Sequence, residues 1–303
     1  WKMQPDREEH QIKTDHPVLV VTGPTASGKS DTAILLAGQL DGEIISADSM
    51  QVYRGMDIGT AKVDAAVRRR IRHHLIDIRD PGEPFSVAAY QALAEEAIRD
   101  ILARGRTPIV CGGTGQYLSA LIDGLTFAPA PADPALRAEL EMKADQSGLP
   151  DLWQQLAQED PEAARRISPN DRKRIIRALE IFLLTGRTMS WHDARSRIRQ
   201  PAFRYLTFCL THDRPVLYGR INKRVLQMMD KGLPDEVRRL LGSGVPASST
   251  CLQAIGYKEL IGYLQGDCTL EQAVGKIQQA SRNYAKRQLT WFRKMREVNW
   301  LEN

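Results

Sequence analysis

Val18–Thr22 (VLVVT) is a continuous apolar run between Pro17 and Gly23, the pattern of a strand buried on both faces. Ala33, Leu36, Ala37 and Leu40 follow at helical spacing within Ser30–Leu40, and Asp41-Gly42 ends that helix. Glu43–Ser46 and Leu75–Ile78 read as a second and a third short strand. Ser86 stands at the N-cap of a long helix whose apolar face is Val87, Tyr90, Ala94, Ala97, Ile98 and Ile101, closed by Gly105. Pro108–Cys111 is a fourth strand, followed by glycines and a helix through Leu121. Strands and helices alternating at these lengths predict parallel pairing with right-handed crossovers.

The pattern changes near Phe127. A proline-rich hinge spans Ala128–Pro134, and only helical patterns run from Ala135 to about Arg195, punctuated by Pro150, Pro161, Pro169 and Gly186. Arg204–Thr211 alternates and carries β-branched and aromatic residues, so a strand returns. The remainder is helical and ends in a long helix opened by Thr269–Gln272, a capping-box pattern. The expected architecture is an α/β core with a parallel sheet flanked by helices and an inserted all-helical domain. The expected boundaries are a loose leader at 1–17, a core at 18–127 and 203–303, and the insertion at 128–202.

The 303 residues carry 42 Lys and Arg against 37 Asp and Glu, a net charge of +5. The regional distribution is more informative. Arg165–Arg204 holds eleven basic residues and three acidic ones, and Gln272–Arg296 holds seven basic residues and no acid. Two basic tracts point to a polyanionic partner, nucleic acid first, although a charged helix face is often merely solvated. Cys111, Cys209, Cys251 and Cys268 form no C-x-x-C pair. That argues against a disulfide scaffold or zinc ribbon and suggests reduced thiols and a cytoplasmic location. No stretch approaches the roughly 18 apolar residues of a membrane span.

Gly23-Pro24-Thr25-Ala26-Ser27-Gly28-Lys29-Ser30 fits G-x-x-x-x-G-K-[S/T], with a strand before it and a helix after it. This is the phosphate loop of nucleotide-binding and ATP-binding proteins. Its glycines let backbone N–H groups curl around phosphate oxygens, Lys29 adds a point charge, and Ser30 can ligate Mg²⁺. The motif establishes a bound di- or triphosphate and leaves ATP undecided. Asp48 follows the second strand on the side where open parallel sheets hold ligands. From spacing alone a chemical role, as magnesium ligand or proton acceptor, and a structural one, as helix cap or turn residue, weigh equally. His73-His74 are adjacent, so on a strand they face opposite ways and suit structural roles better than a shared metal. Tyr284, Trp291 and Phe292 lie at helical spacing, which favours core contacts over base stacking, and Met228-Met229 reads as packing.

GPTASGKS followed by DSMQVYRGMDIGTAK from Asp48 to Lys62 resembles the tRNA dimethylallyltransferase (tRNA isopentenyltransferase) family in its bacterial form. Further matches are His73–Pro81, Gly112–Gly115 with Tyr117, Asn170-Asp171 leading into Arg174–Glu180, Ala254–Lys258 and Ala285–Arg293. The resemblance runs from about Val18 to Trp300. It implies a P-loop core and transfer of a dimethylallyl group from dimethylallyl diphosphate to the exocyclic N6 amine of adenosine 37, beside the tRNA anticodon. Diphosphate is released, with Mg²⁺ as cofactor. It implies diphosphate binding by Gly23 to Ser30 with Arg220 and Arg224, and catalysis by Asp48, Lys29, Ser30 and Arg224, with Asp48 as general base. Ser30 and Asp48 are the implied magnesium ligands. Implied tRNA contacts are Asp48, Ser49, Met50, Gln51, Thr114, Arg137, Lys173, Arg174, Ile175, Ile176, Arg177, Gln253, Ala254, Ile255, Gly256, Tyr257 and Lys258, and the insertion would grip the anticodon stem-loop. A monomer is expected. The rival readings are an adenylate isopentenyltransferase acting on a free nucleotide, a P-loop small-molecule kinase and a non-catalytic RNA-binding module. The helical insertion and basic C-terminal helix have little use with a small acceptor.

Overall fold

The structure, a computed structural model, describes residues 16–127, 133–196 and 200–302. The expected leader, apart from His16 and Pro17, and most of the proline-rich hinge lie outside the described residues. The chain divides into two compact units. One holds the described residues up to Ile122 and from Ala202 onward, and the other is Asp123–Pro201.

In chain order the first unit begins with β1 (Val18–Thr22), α1 (Lys29–Gln39), β2 (Gly42–Ser46), α2 (Ala65–Arg70), β3 (His73–His74), α3 (Val87–Ala103), β4 (Thr107–Gly112) and α4 (Gly115–Ile122). The helical unit contributes α5 (Pro134–Gln146), α6 (Leu149–Glu159), α7 (Pro161–Arg166), α8 (Arg172–Thr185) and α9 (Met189–Ser196). The first unit resumes with β5 (Tyr205–Thr211), α10 (Arg214–Asp230), α11 (Leu233–Gly242), α12 (Tyr257–Leu264), α13 (Leu270–Phe292) and β6 (Val298–Glu302).

The sheet order is β3-β2-β4-β1-β5-β6, with every pair parallel. The register sets Val21 beside Cys111 and Thr22 beside Cys209. The C-terminal ends of β1, β2 and β4 therefore open onto one edge, where a parallel α/β sheet holds ligands. The apolar runs do what their composition demands: Val18, Val20, Ile45 and Val110 are buried with Tyr90, Ala94, Ile98 and Ile101 of α3. Ser86 caps α3 by accepting from Ala89 N at 3.1 Å, a contact worth about 1 kcal/mol. Thr269 and Gln272 close the capping box of α13 at 3.2 and 3.0 Å.

The expected third strand over Leu75–Ile78 does not form. β3 ends at His74, and Leu75 and Asp77 take left-handed φ values of 61° and 58°. The amides that would have paired with β2 serve another loop. Asp77 N donates to Gln51 O, and Ile78 N and Arg79 N donate to Val52 O. Asp77 is anchored by Lys62 at 2.5 Å and Arg68 at 2.6 Å. These ion pairs tie the chain to the 53–62 loop and to α2.

At the edge of the sheet Glu43 is buried, yet it meets Arg104, Arg106 at 2.6 Å and His74 at 2.7 Å. Hydrogen bonding from Arg104 outweighs the cost of burial and holds the Glu43 carboxyl down at about 2. His74 is thus part of an ion-pair cluster, and His73 Nδ1 lies 2.7 Å from Ile71 O.

The helical unit packs Leu140, Leu152, Leu156, Ala163, Ile175, Ile176 and Leu179 into its own core. Asp160 ties it together, accepting from Ala163 N at 3.0 Å and Ser190 N at 2.9 Å.

Candidate active site

The β1–α1 turn has the geometry of a phosphate cradle. Gly28 stands at φ 93°, a left-handed conformation that costs glycine little. It lets the loop turn into α1. Lys29 folds back over the loop, Nζ donating to Pro24 O at 3.2 Å. Two side chains from distant elements hold the loop. Gln288 of α13 accepts from Thr25 N at 2.8 Å and donates to Gly113 O at 2.8 Å. Arg220 of α10 donates to Ala26 O at 2.8 Å.

The electrostatics at the loop are lopsided. Burial, and then the nearby Arg224 charge, push the Lys29 ammonium below its ordinary range. Burial likewise lowers Arg224, with Asp48 and Asp31 pulling it back up. Among the described residues Arg224 makes no hydrogen bond and no ion pair. Two desolvated cations side by side without a bonded anion form a site for a polyanion, because a phosphate group would supply both the charge and the hydrogen bonds they lack.

Asp48 lies just past β2. Its Oδ1 accepts from Met50 N at 2.9 Å and Gln51 N at 3.4 Å, which fixes the turn. Gln51 accepts from Ser46 Oγ at 3.0 Å and donates to Thr60 O at 3.2 Å. Thr114 Oγ1 accepts from Ser49 N at 3.0 Å.

Three cavities meet here. An outer one of about 700 Å³ is lined by Gly28, Lys29, Ser30, Asp31, Lys62, Arg220, Lys223 and Arg224. A small one of about 80 Å³ holds Lys29, Ser30, Asp48, Gln51, Cys111, Arg224, Tyr284 and Gln288. A third, of about 340 Å³, is lined by Asp48, Ser49, Met50, Thr60, Gln253 to Lys258, Tyr284 and Arg287. Arg224 borders all three, and Asp48 borders the second and third. The passage therefore runs from the phosphate loop past Asp48 to a cavity of nucleobase size. Ser30 and Asp48 line the same small cavity. Among the described residues no group of three or more His, Cys, Asp or Glu could hold a metal. A cation there would rest on these two oxygens, with phosphate and water completing its shell, as Mg²⁺ commonly does. Burial raises the Cys111 thiol to about 11 and the Tyr284 hydroxyl to about 12, which keeps both neutral.

The structure brings together Gly23 to Ser30, Asp48 to Gln51, Thr114, Arg220, Arg224 and the 253–258 segment. Tyr257 is fully buried and forms a wall of the third cavity. Arg137 and Lys173 to Arg177 belong to the helical unit. Ile175 and Ile176 are corrected: they are 0% and 2% exposed in that unit's core and cannot touch an external partner. Arg137 and Arg177 both bind the buried Glu180, at 2.6 and 2.8 Å. Arg172 is likewise spent on Glu141 and Asp145. The first basic tract is thus partly self-neutralised. The second is not, since no basic residue of Gln272–Arg296 has an acidic partner among the described residues. Of the aromatic residues on α13, Phe292 is core, Trp291 donates to Ser119 Oγ at 3.1 Å, and Tyr284 lines the cavities.

Sequence reasoning missed Gln288 and Glu236. Each is a polar residue on an apolar helical stripe, beside Ile277, Ala285 and Phe292 in one case and Leu233, Val237 and Leu240 in the other. That mismatch was the available signal.

A family model described as IPP transferase matches residues 51–295, and one described as isopentenyl transferase matches residues 16–82. The chain is 50% identical over 282 residues to a tRNA dimethylallyltransferase of Heliobacterium modesticaldum, covering 93% of this chain and 88% of that one. It is 47% identical over 290 residues to a tRNA dimethylallyltransferase of Bacillus licheniformis, covering 96% and 92%. Among solved structures, a tRNA isopentenylpyrophosphate transferase of Bacillus halodurans aligns with a TM-score of 0.69 at 46% identity, over 95% of this chain and 90% of that one. A eukaryotic dimethylallyltransferase acting on tRNA aligns with a TM-score of 0.81 at 30% identity, over 95% and 74%. Similarity at this level over nearly the whole length means that the chain belongs to the IPP transferase family, alongside the tRNA dimethylallyltransferases.

Proposed function

We propose that the protein transfers a dimethylallyl group from dimethylallyl diphosphate to the exocyclic N6 amine of adenosine 37 in tRNA. The observation that carries this reading is the continuous passage from a cation-lined phosphate loop, past one carboxylate, to a nucleobase-sized cavity. The diphosphate lies against the loop amides, Lys29, Arg220 and Arg224. As the bond from the allylic carbon to the diphosphate oxygen breaks, Lys29 and Arg224 meet the developing negative charge in a site already desolvated, where each interaction counts for more. The adenosine leaves its stack and enters the third cavity from the opposite end. Its amine nitrogen forms the new bond to carbon, and its proton passes to the Asp48 carboxylate. The amides of Met50 and Gln51 hold one Asp48 oxygen and fix the residue on the cavity wall.

Ser30 and Asp48 would hold Mg²⁺, which when bound supplies further charge stabilisation to the leaving diphosphate. The unneutralised face of α13 and the basic side chains of the helical unit would bind the anticodon stem-loop through its phosphates. A monomer in the cytoplasm suffices for this chemistry. Among the described residues no helix is long and apolar enough to cross a membrane. The test mixes protein, Mg²⁺ and labelled dimethylallyl diphosphate with unmodified tRNA, AMP or ATP in parallel. Label on tRNA supports the reading. Label on AMP alone, or ATP turnover without prenyl transfer, overturns it.

A further inference from the structure

Glu236 lies in the first turn of α11 and is 1% exposed. Its Oε2 accepts from Asp57 N at 2.9 Å and Ile58 N at 2.8 Å. Its Oε1 accepts from Gly59 N at 3.1 Å and from the Tyr257 hydroxyl at 2.7 Å. Four donors therefore converge on one carboxylate that has no Lys, Arg or His partner among the described residues. No ion pair accounts for such a group. Its neighbours Leu233, Val237 and Leu240 are apolar, and a buried charge costs several kcal/mol to desolvate before any hydrogen bond repays it.

The geometry gives a different reason. Three successive amides, 57 to 59, are gathered around a single anion, so the carboxylate dictates the shape of that turn. The turn leads directly to Thr60, whose carbonyl accepts from Gln51 Nε2, and Gln51 N in turn donates to Asp48. The second oxygen fixes Tyr257, whose ring lies so close to Gly59 that a Cβ there would come within 2.5 Å of it. Gly59, Thr60 and Tyr257 all line the nucleobase-sized cavity together with Asp48. Asp57 and Ile58 of the same turn also line the outer cavity, but no hydrogen bond of this network reaches the phosphate loop. Its supports are Gln288 and Arg220.

We infer that Glu236 is a positioning residue for the acceptor base: it sets the 57–59 turn and one wall of the acceptor cavity relative to Asp48, while the phosphate loop keeps its own supports. This rests on the reading of that cavity as the place where the tRNA base is received. A misplacement of about 1 Å in such a site costs on the order of 100-fold in rate.

The test compares wild type, Glu236→Gln, Tyr257→Phe and the double variant. Each is assayed for single-turnover prenyl transfer to tRNA and for donor affinity in the absence of tRNA, with thermal unfolding recorded alongside. Glu236→Gln keeps the size but turns an NH₂ toward N–H donors. Transfer should fall about 10- to 100-fold while donor affinity stays within about twofold. Tyr257→Phe removes one of the four donors and should fold whether or not Glu236→Gln does. Its transfer should fall about 3- to 10-fold with donor affinity kept. The double variant should be no slower than Glu236→Gln, because the hydroxyl acts through the carboxylate. Unchanged transfer in Tyr257→Phe, or donor affinity falling in parallel with transfer, overturns the proposal. A wild type that fails to label tRNA overturns the reading of the cavity itself, which separates the two failures.

Discussion

Asp48→Asn is the sharpest perturbation of the site. Asparagine keeps an oxygen in the place of Oδ1, so the turn bonds from Met50 N at 2.9 Å and Gln51 N at 3.4 Å survive. What is lost is the carboxylate proton acceptor and a negative charge that acts on both Lys29 and Arg224. General-base catalysis is worth roughly 10²- to 10⁴-fold, or about 3–5 kcal/mol of barrier. Removing the charge acts the other way on the donor. Asp48 supports the protonated forms of both Lys29 and Arg224, but a diphosphate no longer repelled by a carboxylate should bind at least as tightly. The expected signature is therefore a transfer rate lower by about two to four decades, with donor affinity measured without Mg²⁺ unchanged or improved.

The assay is single-turnover transfer to tRNA across a magnesium titration. If Asp48 serves chiefly as a magnesium ligand, added Mg²⁺ will restore much of the rate. If it takes the proton, the deficit will persist at every magnesium concentration. Rescue would refute the general-base assignment. A near-normal rate throughout would refute both roles and move the chemistry away from this carboxylate.

Further outcomes follow from other parts of the molecule. Lys29→Ala should weaken donor binding and leave tRNA affinity in filter binding nearly intact; the reverse pattern would contradict the phosphate-loop assignment. Neutralising Arg282, Lys286 and Arg287 together should weaken tRNA binding and flatten its salt dependence by up to about one slope unit per lost phosphate contact, whereas an unchanged slope would mean a merely solvated face. Glu43→Gln should cost about 1–3 kcal/mol in thermal unfolding, because its arginine partners remain without their acceptor. Since folding depresses the Glu43 carboxyl from 4.5 to about 2, its stabilisation is complete above the ordinary carboxylate range and is lost as pH falls from there toward about 2. Wild type and Glu43→Gln should therefore converge in stability on acidification, and a gap that persists at pH 2 would contradict the linkage.

Much of this architecture was legible where the determining forces are local. VLVVT, the stripe from Val87 to Ile101 and the Thr269–Gln272 cap each carry their own instruction, and each forms as read. Leu75–Ile78 misled because its apolar alternation is the same whether its amides pair with a strand or with a loop. The choice fell to Lys62 and Arg68, which hold Asp77 from outside the segment. β6 was not anticipated either. Four of its five residues are exposed, so no buried face left a period-2 signature, and its pairing with β5 is settled more than 80 residues away along the chain.

Charge was the least transparent property. Eleven basic residues in Arg165–Arg204 look like a stronger polyanion surface than seven in Gln272–Arg296. Folding reverses that order of expectation. Arg166, Arg172 and Arg177 meet Asp193, Glu141, Asp145 and Glu180, acids that lie up to 31 residues away and, Glu180 apart, on other helices. Arg137 is drawn into the same set by Glu180. No acid stands within the C-terminal tract, and none comes from elsewhere among the described residues. A basic residue contributes to phosphate affinity only if binding does not first require breaking an ion pair. The free cations of α13 should therefore outweigh, residue for residue, the paired ones of α7 and α8. Arg187 and Arg195, which flank Trp191 at 5.3 and 3.9 Å without an acidic partner among the described residues, stand with the equally unpaired Arg165 and Lys173 as side chains of the helical unit whose charge is open to an external phosphate.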